Sequence, residues 1–122
     1  DLTSQSIFAT DHTSSAQIIA RSAMVVCGLE VAKRVLLRLD PELEIDSDSR
    51  DGDQVNAGAV ILRAKGSTIA LLTAERTALN FLQRLSGIAT ISKLYANAAA
   101  KAATGVRIVD TRKTRPGWRA LE

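Results

Sequence analysis

Residues 72–90 read LTAERTALNFLQRLSGIAT, and the spacing of their apolar residues decides what the chain can build. Ala78, Leu79, Phe81, Leu82, Leu85, Ile88 and Ala89 recur three and four positions apart, which makes a wide apolar stripe along a helix. Thr73 is placed to cap that helix, and Glu75 puts a carboxylate in its first turn, where the helix dipole favours negative charge. The helix is expected to run to about Leu85, with Gly87 as a hinge or close-packing point. An alanine-rich stretch over 88–103 is expected to form a second helix, packing on other helices or on a sheet.

Upstream, short apolar runs alternate with turn signals. Residues 1–15 are polar and rich in Ser and Thr, the composition of loops and caps. Residues 16–27 carry Ile18, Ile19, Val25 and Val26 and read as one or two strands broken by Gly28. Leu29, Ala32, Val35, Leu36 and Leu39 have helical spacing, so Leu29–Leu39 is an amphipathic helix that ends before Pro41. Residues 43–46 read as a short strand. Asp51-Gly52 and Ala57-Gly58 mark tight turns around short apolar runs in 51–62. Gly66 is expected to close that β unit, and 68–72 to form a further strand.

Downstream, residues 106–114 read VRIVDTRKT. A short β-branched run after Gly105 predicts a strand, and two cations flanked by Thr111 and Thr114 follow at its carboxyl end. In α/β proteins ligands bind at that end of a strand, and adjacent cations suit an anion. Arg112 offers a planar fork for a carboxylate and Lys113 a compact charge for a phosphate. A solvated basic loop explains the same pair equally well.

Composition narrows the function classes. At 122 residues, 46% hydrophobic and 24% charged, the chain is long and apolar enough for a core. Aromatic residues make up only 3%, too few for the stacking platforms of single-strand nucleic-acid binding, and no run has membrane-spanning length. The net charge of +3 fits a small anionic substrate without selecting it. The single cysteine, Cys27, has no internal disulfide partner. It is expected as a small buried hydrophobe in a reducing cytoplasm. One histidine, His12, leaves no second soft ligand for a zinc site, and it reads as a surface residue. The chain begins at Asp1 rather than Met, so the natural amino terminus is expected upstream.

Three further constellations carry charge. Glu75 and Arg76 are adjacent and so do not face one another on a helix, which leaves Arg76 as an exposed cation. In Arg115-Pro116-Gly117-Trp118-Arg119, Pro116 suits a turn, Trp118 a packing role, and the arginines add to the positive field. The turns of 51–62 have the pattern of biotinyl and lipoyl carrier domains, whose acceptor lysine typically stands next to Met or Ala on a hairpin, but Lys65 is followed by Gly66 and the only methionine, Met24, is far away.

Together, residues 72–90, the Asp110-Thr111-Arg112-Lys113-Thr114 segment with Pro116-Gly117 and Arg119-Ala120-Leu121-Glu122, the Asp1-Leu2-Thr3-Ser4 start and the Gly52–Gly58 turns resemble the quinolinate phosphoribosyltransferase family. The resemblance covers essentially the whole chain. It implies an α+β fold: an amino-terminal α/β sandwich with the central helix over 1–94, then the first helix and strand of a truncated α/β barrel over 95–122.

The resemblance further implies transfer of phosphoribose from phosphoribosyl pyrophosphate to quinolinate with decarboxylation, giving nicotinate mononucleotide, pyrophosphate and carbon dioxide for NAD synthesis. Mg2+ would accompany the pyrophosphate, with ligands outside this sequence. Arg112 would bind a substrate carboxylate, with Lys113 and Thr114 lining the same site. Arg76 would reach into the partner subunit's site, which implies a homodimer with shared sites in the cytoplasm and no nucleic-acid or membrane partner. A catalytic residue is not assigned, and these 122 residues alone are expected to be inactive. A paralogue linked to molybdenum transport, and a carrier or binding module built on the 51–62 turns, are the alternative readings.

Overall fold

Period-two alternation builds short strands in the first half of the chain, and the three- and four-residue spacings build its helices. The order is α1 (Leu2–Ile7), β1 (Thr13–Ile19), β2 (Met24–Val25), α2 (Leu29–Leu39), β3 (Glu44–Asp46), β4 (Gln54–Val55), β5 (Val60–Ser67) and α3 (Thr68–Lys101). This computed structural model describes residues 2–102 and 105–121. Asp1 and Glu122 of the quoted motifs, and Ala103 at the expected helix end, lie outside the described residues.

Strand β5 is the centre of an antiparallel sheet ordered β1-β5-β3, and β2 pairs with β4 in a separate two-stranded ribbon. Cross-strand pairs Ile18–Leu62 and Ile45–Ala64 put apolar side chains on one face. On the other face Glu44 stands opposite Lys65 and Asp46 opposite Arg63. Lys65 Nζ lies 3.6 Å from Glu44 Oε2, and Arg63 Nη1 lies 2.8 Å from Asp48 Oδ2. These pairs are exposed and contribute little to stability.

The apolar face packs under the two long helices, as an α/β sandwich. Leu29, Ala32 and Leu36 of α2, Leu71, Ala74, Ala78 and Leu82 of α3, and Ile61, Leu62 and Ala64 of β5 form one core with Val26 and Leu43. The α+β class is therefore as the sequence leads one to expect, and Leu29–Leu39 is helical over that whole range.

Four local expectations are corrected. Residues 68–72 are not a strand: Ser67 ends β5 and its hydroxyl accepts the Ala70 amide at 3.3 Å, so α3 starts there rather than at Thr73. The helix does not stop near Leu85. A mid-helix glycine costs only about 1 kcal/mol against alanine, and the packed turn at Leu85 and Ser86 carries α3 through Gly87, where a side chain would meet nothing. Gly66 lies within β5 rather than closing it. Its φ of +148° and the Leu43 methyl, 2.6 Å from where a Cβ would stand, explain why the strand has a glycine there. Residues 106–109 form no strand, because among the described residues no neighbouring strand exists to take their backbone hydrogen bonds.

The polar start is also more ordered than its composition suggests. It holds α1 and the first half of β1. His12 Nδ1 and Ser14 Oγ both lie within hydrogen-bond reach of the buried Thr68 hydroxyl, at 2.8 and 2.7 Å, so His12 ties the first strand to the start of α3.

Candidate active site

The middle of α3 is the meeting point of the two parts of the chain that carry turns and cations. Residues 88, 89, 92, 93 and 96 fall on one helix face. Val25 and Gly52 close one side of that face, and residues 108–111, 113 and 114 with Arg119 return along the other. The cleft between them holds about 690 Å³. Ile88, Ala89, Ile108 and Val109 give it apolar walls, while Lys93, Lys113 and Arg119 outnumber its one carboxylate, Asp110. Apolar walls with a few cations suit a flat, anionic ligand. By contrast, the groove of about 580 Å³ between β1 and the start of α3 has only Arg21 and Glu75 as charged lining residues, so it presents no such surplus.

Side-chain hydroxyls on α3 fix one wall. Thr90 Oγ1 accepts the Val25 amide at 2.9 Å and donates to the Ser86 carbonyl at 2.7 Å. Ser86 Oγ accepts the Cys27 amide at 3.0 Å and donates to the Cys27 carbonyl at 3.1 Å. Gly28, at φ +91°, opens α2 without a side-chain cap of its own, and the carboxylate of Asp51 takes the Leu29 amide at 2.9 Å instead. The Asp51-Gly52 turn is thus fastened to α2 while Gly52 faces the cleft. Burial pushes the Cys27 thiol above its ordinary value, the Asp51 charge adds to this, and a backbone hydrogen bond from Gly28 opposes it.

The other wall is a loop. Lys113 N–H donates to Thr111 Oγ1 at 3.2 Å, a local turn that brings Lys113 and Thr114 to the cleft. Arg112 is exposed and outside the lining. Arg76 is exposed on α3, twelve residues before Ile88, which is about 18 Å of helical rise. One chain therefore brings Lys113 and Thr114 together and leaves Arg76 apart. Lys93, Asp110 and Arg119 also reach the cleft without having been singled out as site residues. The helical spacing of 89, 92, 93 and 96 is the signal that places Lys93 there.

Among the described residues, no group of three His, Cys, Asp or Glu side chains gathers to hold a metal ion. Among the described residues, no helix is long and apolar enough to cross a membrane. Lys65 lies on the central strand, opposite both Ser15 and Glu44, and not at a hairpin tip, which removes the geometry a carrier lysine needs.

Residues 1–86 match the family described as quinolinate phosphoribosyl transferase, N-terminal domain. The chain belongs to this family. It is 36% identical over its whole length to quinolinate phosphoribosyltransferase [decarboxylating] 1b of Nicotiana tabacum, of which it covers 34%. It is 42% identical over 111 residues, 91% of the chain, to a probable nicotinate-nucleotide pyrophosphorylase [carboxylating] of Synechocystis, of which it covers 37%. The crystal structure of NadC from Streptococcus pyogenes superposes with a TM-score of 0.89 at 36% identity, over 99% of this chain and 42% of that one. The chain thus spans about a third of the length of the first two relatives. The family match ends within α3, while the superposition with the Streptococcus pyogenes structure continues past it.

Proposed function

We propose that a full-length protein carrying this chain transfers phosphoribose from phosphoribosyl pyrophosphate to quinolinate. In that reaction the ring nitrogen forms a bond to the ribose carbon and the bond from that carbon to pyrophosphate breaks. Carbon dioxide leaves the ring, and the carbon left behind takes a proton, giving nicotinate mononucleotide for NAD synthesis. The observation that carries the reading is the cleft on α3. It places Lys113, Lys93 and Arg119 around an apolar slot in a chain whose relatives are named for this activity.

Each group has a task set by charge. Lys113 and Arg119 attract the quinolinate carboxylates, and Thr114 offers a hydroxyl to one of them. Arg112, exposed beside them, completes carboxylate binding when substrate is present. The displacement builds positive charge on the ribose carbon and decarboxylation leaves electron density on the ring. Fixed charges in a site closed to water stabilise both better than mobile ones. Mg2+ belongs to this reading as an ion that arrives with the pyrophosphate.

The reading extends to a homodimer in which Arg76 serves the partner subunit's site. Its exposure and its distance along α3 from the cleft support that role. The division at residue 94 between sandwich and barrel, and a cytoplasmic setting, belong to the same proposal, although some relatives are named as mitochondrial or chloroplastic. The test is turnover: full-length protein should release carbon dioxide and form nicotinate mononucleotide from quinolinate only when phosphoribosyl pyrophosphate is present. Absence of product under those conditions overturns the reading.

A further inference from the structure

The indole of Trp118 lies on the Phe81 ring of α3, with centroids 4.7 Å apart and planes inclined by 21°. The guanidinium carbons of Arg84 and Arg115 lie 5.7 and 5.8 Å from the indole centroid. Trp118 sits in a turn held by its own N–H to the Arg115 carbonyl at 3.0 Å, and by the Leu121 N–H to the Trp118 carbonyl at 2.8 Å.

Much of the rest of the segment is exposed. Residues 105–121 contain no strand or α-helix, and Val106, Ile108 and Val109 are about half exposed or more, whereas Trp118 is half-buried. Yet residues on both sides of Trp118 line the cleft: Lys113 and Thr114 before it, Arg119 directly after it. An aromatic stack flanked by two cations is thus an apolar anchor between this segment and the helix that forms the opposite wall.

We propose that Trp118 is a positioning residue: by docking on Phe81 it sets where Lys113, Thr114 and Arg119 stand relative to α3. It touches no substrate itself. A segment already docked loses less freedom when ligand binds, so its anchor improves affinity without a contact of its own. This inference rests on the proposal that these groups bind quinolinate, and it adds the residue that holds them in place.

The experiment is steady-state kinetics of the full-length protein with Trp118→Ala, Trp118→Leu, Trp118→Phe and Lys113→Ala. The quinolinate KM should rise about tenfold in Trp118→Ala and Trp118→Leu, with kcat within about twofold of the parent. Trp118→Phe keeps a ring for the stack and should restore KM to within about threefold. Circular dichroism accompanies each variant, and Trp118→Leu decides if the alanine variant does not fold. If both Trp118→Ala and Trp118→Leu keep the parental KM while Lys113→Ala raises it, the site reading stands and the positioning role is overturned. A fall in kcat at unchanged KM also overturns it. If Lys113→Ala leaves the quinolinate KM unchanged, the underlying site reading fails, and the positioning role with it.

Discussion

Ser86 and Cys27 close a two-way hydrogen bond: the Cys27 amide donates to Ser86 Oγ, and the same hydroxyl returns its proton to the Cys27 carbonyl. One side chain on the long helix thereby satisfies both backbone groups of the residue that joins the β2 ribbon to α2. Ser86 is 2% exposed, so water does not replace it. Ser86→Ala should therefore leave a donor and an acceptor unpaired and lower unfolding stability by about 1–3 kcal/mol. Urea denaturation followed by circular dichroism checks this. A midpoint unchanged from the parent would show that the bond adds nothing.

Gly28 and Leu85 meet one residue further along. A Cβ on Gly28 would stand 2.6 Å from Leu85 Cδ1, and the backbone there has φ +91°. Gly58 has nearly the same φ, +89°, but open space around it. The two positions separate strain from crowding. Gly58→Ala should cost about 1–2 kcal/mol for the left-handed backbone alone. Gly28→Ala adds the clash of an overpacked contact and should cost about 2–4 kcal/mol. Equal losses in the two variants would mean that Leu85 yields without penalty.

The raised Cys27 thiol sets the direction of a pH effect. The folded chain holds the proton more tightly than the unfolded chain, whose thiol titrates near its ordinary value of 9.0. Protons are then released on unfolding in the window between 9.0 and the higher folded value, so stability falls as pH rises. The contribution is complete below pH 9 and is lost as pH climbs through the folded value. Alkylation by iodoacetamide should follow the same course, slow at pH 8 and faster as pH rises. Asp51→Asn keeps an oxygen for the Leu29 amide but removes the charge, so it should speed alkylation. A rate matching that of denatured protein at pH 8 would contradict the burial argument.

The parts of this fold that could be read from the sequence are those whose signal is local. Leu29–Leu39 carries its own periodicity and ends at a proline, so the helix follows from neighbours alone. The α3 boundary does not. Residues 68–72 are β-branched and apolar enough for a strand, and the outcome turns on the Ser67 cap and on Thr68, whose hydroxyl is held by His12 and Ser14 more than fifty positions earlier. Residues 106–109 show the opposite case, in which strand-like composition produces no strand where no neighbour shares its hydrogen bonds. The site divides in the same way. Lys113 and Thr114 were visible as a motif, but Lys93 acquires its place only because α3 continues past Gly87.

Lys93 supplies a prediction of its own. It faces the cleft from the helix wall, opposite the loop that carries Lys113. If the two lysines hold one dianion, Lys93→Met should raise the quinolinate KM roughly three- to tenfold and make it less sensitive to ionic strength, since a screened attraction has been removed. Titration of KM against salt in parent and variant checks this. An identical salt slope would exclude Lys93 from the anion site.

Arg76 and Arg112 offer the sharpest test of shared sites. Each is exposed in the single chain, and Arg76 lies about 18 Å of helical rise before Ile88 of the cleft. If Arg76 completes the partner's site, Arg76→Ala and Arg112→Ala should each reduce kcat/KM for quinolinate roughly thirtyfold or more as pure dimers. Mixing them behaves differently. Random exchange of subunits makes half of all dimers mixed, and each mixed dimer has one site with both substitutions and one with neither. Activity should then recover to about a quarter of the parental value, a ceiling set by symmetry alone. Recovery should need time for exchange and should fail when the subunits are cross-linked beforehand. Were both arginines to act within their own chain, every site in the mixture would carry one substitution, and mixing would restore nothing.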